Sequence, residues 1–220
     1  MDSNPPNFDP LARVYRWMEY VSFGPMLERC RLRFLSQCSQ ARHALVLGDG
    51  DGRFTAHLLA ANPTLQVDAV DASAAMLAVL QDRACRCCSE DDLRLRTIHA
   101  DLRHFLPTAK DYDLVVSHFF LDCLTDDDVS DLVERLVPYL GSDAIWLVSE
   151  FSIPEKGWRR APARLVVRFL YVSFRVMTHL RVQRLPDYSK ALRDHGFHGS
   201  EVTQYLGGLL VAEVWRRRGA

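Results

Sequence analysis

The chain has 220 residues, 27 Lys and Arg against 28 Asp and Glu, and 48% hydrophobic residues. That balance belongs to an ordinary globular protein of one domain with ample core, and it excludes collagen-like, coiled-coil and largely disordered chains. No apolar stretch approaches the ~20 residues of a membrane span.

Residues 1–10, rich in Pro and Asn, read as a mobile arm, and they lack the basic and apolar regions of a secretory signal. Residues 11–40 show helical spacing with Tyr15, Trp17, Tyr20 and Phe23, broken at Gly24-Pro25 and resumed over Met26–Phe34. Ala44–Leu47 is a short apolar run, ended by Gly48-Asp49-Gly50-Asp51-Gly52 and followed by an amphipathic helix over Arg53–Ala61. Val67–Val70 is a second strand closed by Asp71, with a helix from about Ser73 to Cys85. Leu95–His99 and Asp113–Ser117 are the third and fourth strands, the third closed by Asp101. Thr125–Asp128 caps a helix over Val129–Leu140, and Ala144–Ser149 is a fifth strand. Pro154–Arg184 reads as an insertion with its own helix over Ala163–Leu180. A sheet-covering helix follows over Pro186–His195, then a hairpin of Val202–Tyr205 and Leu209–Trp215 about Gly207-Gly208.

Apolar strands alternating with helices predict an α/β fold: a Rossmann-like, doubly wound, seven-stranded sheet with helices on both faces. The sheet is expected to be mostly parallel with an antiparallel C-terminal hairpin. Residues 1–40 form the expected arm and helical cover. Residues 41–220 form the main domain, with a lid at about 154–184. Charge is unevenly spread: residues 151–220 hold 13 basic and 5 acidic side chains, and Lys156–Arg184 holds eight basic and no acidic ones.

The glycine loop brings a ligand close to the main chain and a helix N-terminus. A dinucleotide fingerprint needs its third glycine at the sixth place. Here that glycine is fifth and Arg53 is sixth, which disfavours a nicotinamide oxidoreductase. Asp71, at the end of the second strand, is placed to accept both hydroxyls of a ribose. Ser73 offers itself as cap of the following helix, a role that Asp71 would otherwise fill.

Four segments in order, Leu45–Gly52, Val67–Ser73, His99–Asp101 and Tyr112–His118, resemble the successive motifs of the class I S-adenosylmethionine-dependent methyltransferases. The resemblance covers about residues 40–150, and the terminal hairpin fits it. It implies S-adenosylmethionine as cofactor and methyl transfer as activity. The glycine loop (Gly48, Asp49, Gly50, Gly52) would pass the methionine moiety. Asp71, with Ala72 beside it, would bind the ribose. Asp101 and Leu102 would meet the adenine, and Ser117–Phe120 would border the methyl group. Many members carry an acid two residues before the first glycine. This chain has Val46 there, which leaves Asp49 or Asp51 to substitute.

His118, with an ordinary pKa near neutrality, is the candidate general base, although a cofactor-packing role is open to it. Asp122 lies four residues on. The helix-then-Gly-Phe pattern at Leu185–Phe197 and the insertion resemble the small-molecule branch of the family, so a small, apolar or aromatic acceptor is expected. Tyr15, Tyr20, Tyr171 and His179 are further candidates for the pocket wall. The insertion's Phe169, Tyr171, Phe174 and Met177 beside Arg164, Arg168, Arg175 and Arg181 suit an apolar substrate with an anionic group, or peripheral contact with an anionic membrane. Nucleic acid is not an expected partner. Cys85, Cys87 and Cys88 lack the companion pair of a zinc site, so no metal is expected. The six cysteines form no disulfide framework, consistent with a reducing cytoplasm. A noncatalytic S-adenosylmethionine-binding protein is the alternative function.

Overall fold

The protein was analysed as a computed structural model, which describes residues 25–87, 94–154 and 185–217. The expected arm, the first half of the cover with Tyr15 and Tyr20, nearly all of the lid with Tyr171 and His179, and Cys88 lie outside the described residues.

Strands β1 (His43–Leu47), β2 (Gln66–Asp71), β3 (Leu95–His99), β4 (Tyr112–His118), β5 (Leu140–Phe151), β6 (Phe197–Tyr205) and β7 (Leu210–Arg217) form one sheet in the order β3-β2-β1-β4-β5-β7-β6. The first five run parallel, and β7 is antiparallel to both β5 and β6. The order reverses beside β1, so the chain leaves β1 for one face and β4 for the other, and their carboxyl ends border the crevice where open α/β sheets bind ligands.

Both faces are covered. Helices α1 (Pro25–Arg31), α2 (Arg53–Ala61) and α3 (Ala74–Cys87) pack Leu27, Phe54, Leu58 and Leu80 against Val46, Val67 and Val116. On the opposite face α4 (Asp126–Leu136) and α5 (Tyr188–Asp194) cover Leu45, Val115, Trp146 and Trp215. The expected Rossmann-like architecture is therefore the observed one.

The local signals explain most boundaries. Pro25 opens α1, a position where its missing N–H costs nothing. Ser73 Oγ accepts from Met76 N at 3.2 Å and caps α3. Thr125 and Asp128 form a reciprocal capping box on α4, with Asp126, Asp127 and Asp128 at the positive end of its dipole. The largest departures from the expected boundaries fall in three elements. The helix expected over Val129–Leu140 begins at Asp126 and ends at Leu136, because Pro138 belongs to a 3₁₀ turn at Val137–Tyr139. β5 starts at Leu140 rather than Ala144. Its first residues include exposed Ser142 and Asp143, which carry no apolar signal. β6 starts at Phe197 rather than Val202, since it is an edge strand whose central residues face solvent, with a register irregularity between Gly199 and Glu201.

Two contact sets matter later. Near the amino end of β2, buried Asp68 accepts from Arg96 Nε at 2.8 Å and from the Tyr112 hydroxyl, with His43 Nε2 at 3.5 Å. Burial opposes its charge, but Arg96 and Tyr112 hold its carboxyl below the usual range. Second, α1 and the turn after it are tied to the terminal hairpin. Cys30 Sγ donates to Val211 O at 3.4 Å, Arg33 Nε to Thr203 Oγ1 at 3.0 Å and Gln37 Nε2 to Glu201 Oε1 at 2.9 Å. Cys30 and Cys38 are buried free thiols, and burial pushes both up to about 12.

Candidate functional site

The site is built where β1, β2, β4 and β5 end. Gly48, Gly50 and Gly52 adopt left-handed φ angles of 63°, 57° and 75°. At two of them a side chain is also excluded by space. A Cβ on Gly48 would lie 2.4 Å from the Phe120 ring, and one on Gly52 would lie 2.5 Å from Leu80 Cγ and 2.8 Å from its Cα. Gly52 thus lets α2 and α3 approach. The close-packing glycine sits at the fifth place of the loop, which leaves Arg53 at the sixth free to turn outward to Asp51 at 3.1 Å.

The two loop aspartates are engaged within the chain. Asp49 Oδ2 accepts from Thr55 N at 2.8 Å and Thr55 Oγ1 at 2.7 Å, so it caps α2 from outside. Burial raises its carboxyl to about 6 against those bonds. Asp51 Oδ2 is held by Arg53 and by Arg83 at 2.9 Å, which locks the loop to α3.

Asp71 takes Ser73 N at 2.9 Å on one oxygen and Gly50 N at 3.3 Å on the other. It therefore shapes both the turn after β2 and the glycine loop. Burial still outweighs these bonds and raises its carboxyl above the ordinary range. The neighbouring Ala72 carbonyl lies 3.0 Å from His99 Nε2. Asp101 is held differently: burial opposes its charge, but the Arg103 guanidinium at 2.6 Å and the Arg103 amide keep it low. Leu102 turns its side chain into the core, and its carbonyl accepts from Arg135 at 3.0 Å. Ser117 is fully buried, with Oγ accepting from Trp146 Nε1 at 2.9 Å. The structure thus brings Gly48, Asp49, Gly50, Gly52 and Asp71 together, while the side chains of Leu102 and Ser117 serve packing.

His118 departs from its expected chemistry. It is 5% exposed, its ring meets Phe54 edge-on at 4.5 Å, and neither ring nitrogen has a hydrogen-bond partner among the described residues. Burial, and then the charge of Arg31, push it down to about 3. A ring that stays neutral through the physiological range is a poor proton acceptor, so the sequence argument for His118 as base loses its footing.

Sequence reasoning passed over two residues here. Arg31 ends α1, is buried, and stacks over the Phe119 ring at 5.1 Å, with Asp49 and His118 within its field. Only its place on a helical face with Leu27 and Phe34 marked it. Glu150 is the penultimate residue of β5 and is 1% exposed. Its Oε1 accepts from Phe120 N at 3.1 Å and Leu121 N at 2.7 Å, while its Oε2 has no hydrogen-bond partner among the described residues. Burial and then Asp122 push it well above the carboxylate range. The rule that singled out Asp71, an acid closing an apolar strand, marks Glu150 equally. Between the glycine loop and Glu150 runs a strained link: Phe119 holds φ 54°, and the Phe120 ring lies against Gly48.

Among the described residues no cluster fit to hold a metal ion is present, and no helix is long and apolar enough to cross a membrane. Residues 45–145 match the family profile described as a methyltransferase domain. A search of curated proteins found no match. Solved structures share the fold. The pyocyanin biosynthetic protein PhzM is 15% identical with a TM-score of 0.66, over 88% of this chain and 56% of that one. An O-methyltransferase family protein from Burkholderia thailandensis is 16% identical with a TM-score of 0.67, over 95% of this chain and 60% of that one. The chain thus spans less than two thirds of either. The N-methyltransferase NodS from Bradyrhizobium japonicum WM9, in complex with S-adenosyl-L-homocysteine, is 16% identical with a TM-score of 0.62, over 87% of each chain.

Proposed function

We propose that this chain, which carries a class I methyltransferase core over residues 45–145, transfers a methyl group from S-adenosylmethionine to a small apolar or aromatic molecule. One observation carries the reading. The carboxyl edge of the sheet gathers Asp49, Asp71, Asp122 and Glu150, and burial raises all four above the ordinary carboxylate range. Such a site is stabilised by an incoming cation and repels a pyrophosphate. S-adenosylmethionine carries a positive sulfur, whereas a nicotinamide dinucleotide is an anion.

The residues present fit that group. Gly48, Gly50 and Gly52, with Asp49 behind them, would receive its methionine end, Asp71 beside Ala72 its ribose hydroxyls, and Asp101 with Leu102 its adenine. Ser117 would serve through its main chain at the end of β4. When bound, S-adenosylmethionine supplies an electrophilic methyl group. The protein's part is then to orient the acceptor in line and exclude water. Residues 1–40 as cover and 154–184 as lid would enclose the acceptor, with the basic run Lys156–Arg184 meeting an anionic group on the acceptor or an anionic membrane surface.

Thermal shift with S-adenosylmethionine, S-adenosylhomocysteine and NADH tests the reading. Either sulfur nucleoside at about a hundred times its Kd should add about 2.7 kcal/mol of stability, and NADH none. Stabilisation by NADH alone would overturn it. Absence of S-adenosylhomocysteine formation with every small acceptor tried would leave a binding protein rather than an enzyme.

A further inference from the structure

The neutral His118 leaves open where a methyl acceptor's proton goes, and the opposite face of the same sheet edge holds an answer. Glu150 and Asp122 are there together. Glu150 Oε1 receives the Phe120 and Leu121 amides, which turns the short helix carrying Asp122 toward the end of β5. Glu150 Oε2 is buried, with no hydrogen-bond partner among the described residues. The two carboxyls lie within each other's field, and ionising both would set like charges together in a dry site. The pair is joined to the glycine loop by Phe120, whose ring rests on Gly48 while its amide donates to Glu150. Cys123 lies between Asp122, Glu150 and Asp71, and Sγ approaches Asp122 Oδ1 at 3.5 Å.

We propose that the Asp122–Glu150 pair, and not His118, takes up the proton that the methyl acceptor loses, and that the positive charge of the methyl donor empties the pair beforehand. This inference rests on the methyl-transfer reading. In the reaction the sulfur–methyl bond breaks, a bond from the acceptor's oxygen or nitrogen to the methyl forms, and the acceptor's O–H or N–H bond breaks. Its proton passes to the pair, whose negative charge falls by one as the sulfur becomes neutral. The acceptor class that needs such a group is a hydroxyl or amine rather than a carbon.

The groups facing the pair permit this. Glu150 lies in the field of Cys30 on α1, the Tyr188 hydroxyl on α5 and Cys123, while the cation Arg31 on α1 acts on Cys30, Glu213 on β7 on Tyr188, and Asp71 on β2 on Cys123. Burial keeps Cys30, Cys123 and Tyr188 protonated. Glu213 is bonded to Trp215 Nε1 at 2.8 Å. Asp71 and Asp49 also titrate high, so the test must subtract them.

Subtraction is available, because S-adenosylmethionine and S-adenosylhomocysteine differ only in the methyl group and its charge. Calorimetry on the full chain from about pH 5 to about pH 8 should show S-adenosylmethionine affinity rising with pH, by up to about tenfold per unit for one proton released. S-adenosylhomocysteine affinity should lack that increment. Asp122→Asn and Glu150→Gln should each remove the difference while both ligands still bind. If the two ligands show the same pH dependence, or the difference survives both variants, the proposal is overturned. Should the variants fail to fold, the parent protein decides. The protonated-carboxyl band in its infrared difference spectrum should fall on adding S-adenosylmethionine and not on adding S-adenosylhomocysteine. An unchanged band overturns the proposal. Failure of both ligands to bind instead removes the methyl-transfer reading itself.

Discussion

Two aspartates three residues apart on β2 live under opposite rules. Asp68 is enclosed by Arg96, Tyr112 and His43, and its carboxyl is held low. Asp71 has main-chain amides and the nearby His99 ring, but no guanidinium among the described residues, to set against burial, and its carboxyl rises. The amino end of the sheet completes its charges from within the chain. The carboxyl end, at Asp49, Asp71, Asp122 and Glu150, leaves its charges costly until something else arrives. An acid with internal partners holds the fold together. An acid raised by burial at a strand's carboxyl end is a binding group in waiting.

Replacement of each aspartate by alanine should separate the two roles most widely. Asp68→Ala strips the buried Tyr112 hydroxyl and Arg96 of their acceptor and should cost roughly 3 kcal/mol in denaturant unfolding. Cofactor affinity of the folded fraction should be retained. Asp71→Ala should change unfolding by under about 1 kcal/mol and weaken S-adenosylmethionine at least about tenfold by calorimetry. Reversed outcomes would dissolve the contrast.

The glycine loop offers a second comparison. Gly52→Ala drives a Cβ into the α3 backbone at Leu80 and should cost roughly 2–3 kcal/mol. Gly50→Ala meets nothing within 4 Å and should cost only the left-handed strain of about 1 kcal/mol.

The pH dependence of stability sharpens the contrast through its sign. Asp68 has a lowered folded pKa, so its contribution is present above the unfolded value and lost as pH falls through the folded one. The advantage of the parent over Asp68→Asn should vanish in acid. His118 is buried neutral with a folded pKa of about 3, so the unfolded chain binds its proton first. From about pH 6.5 down to about pH 3 His118→Gln should gain on the parent by up to about 1.4 kcal/mol per pH unit. Chemical denaturation across that window checks both. The smallest effect lies away from either region: Thr125→Ala removes the capping box of α4 and should cost about 1 kcal/mol.

Strands buried on both faces are legible as continuous apolar runs. β1, β2 and β4 announce themselves through Ala44–Leu47, Val67–Val70 and Leu114–Val116. The first half of β5 and the centre of β6 do not, because Ser142, Asp143, Gly199 and Ser200 are exposed and interrupt the apolar pattern. Within the site, Asp71 and the glycines are legible because backbone geometry and a strand end dictate them. The state of His118 is not, since it depends on Phe54 and Arg31, which approach from α2 and α1. Asp49 reads as a ligand group from its place in the loop, yet its first partner is Thr55, six residues on along α2. Glu150 was within reach of the strand-end rule and needed only the fifth strand to be extended by one residue.

The outermost strands carry a consequence for life at high concentration. β3 presents Arg96 and Thr97, and Thr97 is engaged by Gln81 at 2.8 Å. β6 breaks register at Gly199–Glu201 and has Glu201 and Thr203 hooked by Gln37 and Arg33. Charge, irregular pairing and side chains already tied to the chain are what keep an open sheet from recruiting another strand. Both ends of this sheet are blunted in that way, so self-templated growth into aggregates is opposed at each, and the ties from Arg33 and Gln37 that fasten the cover to the hairpin also guard the β6 end.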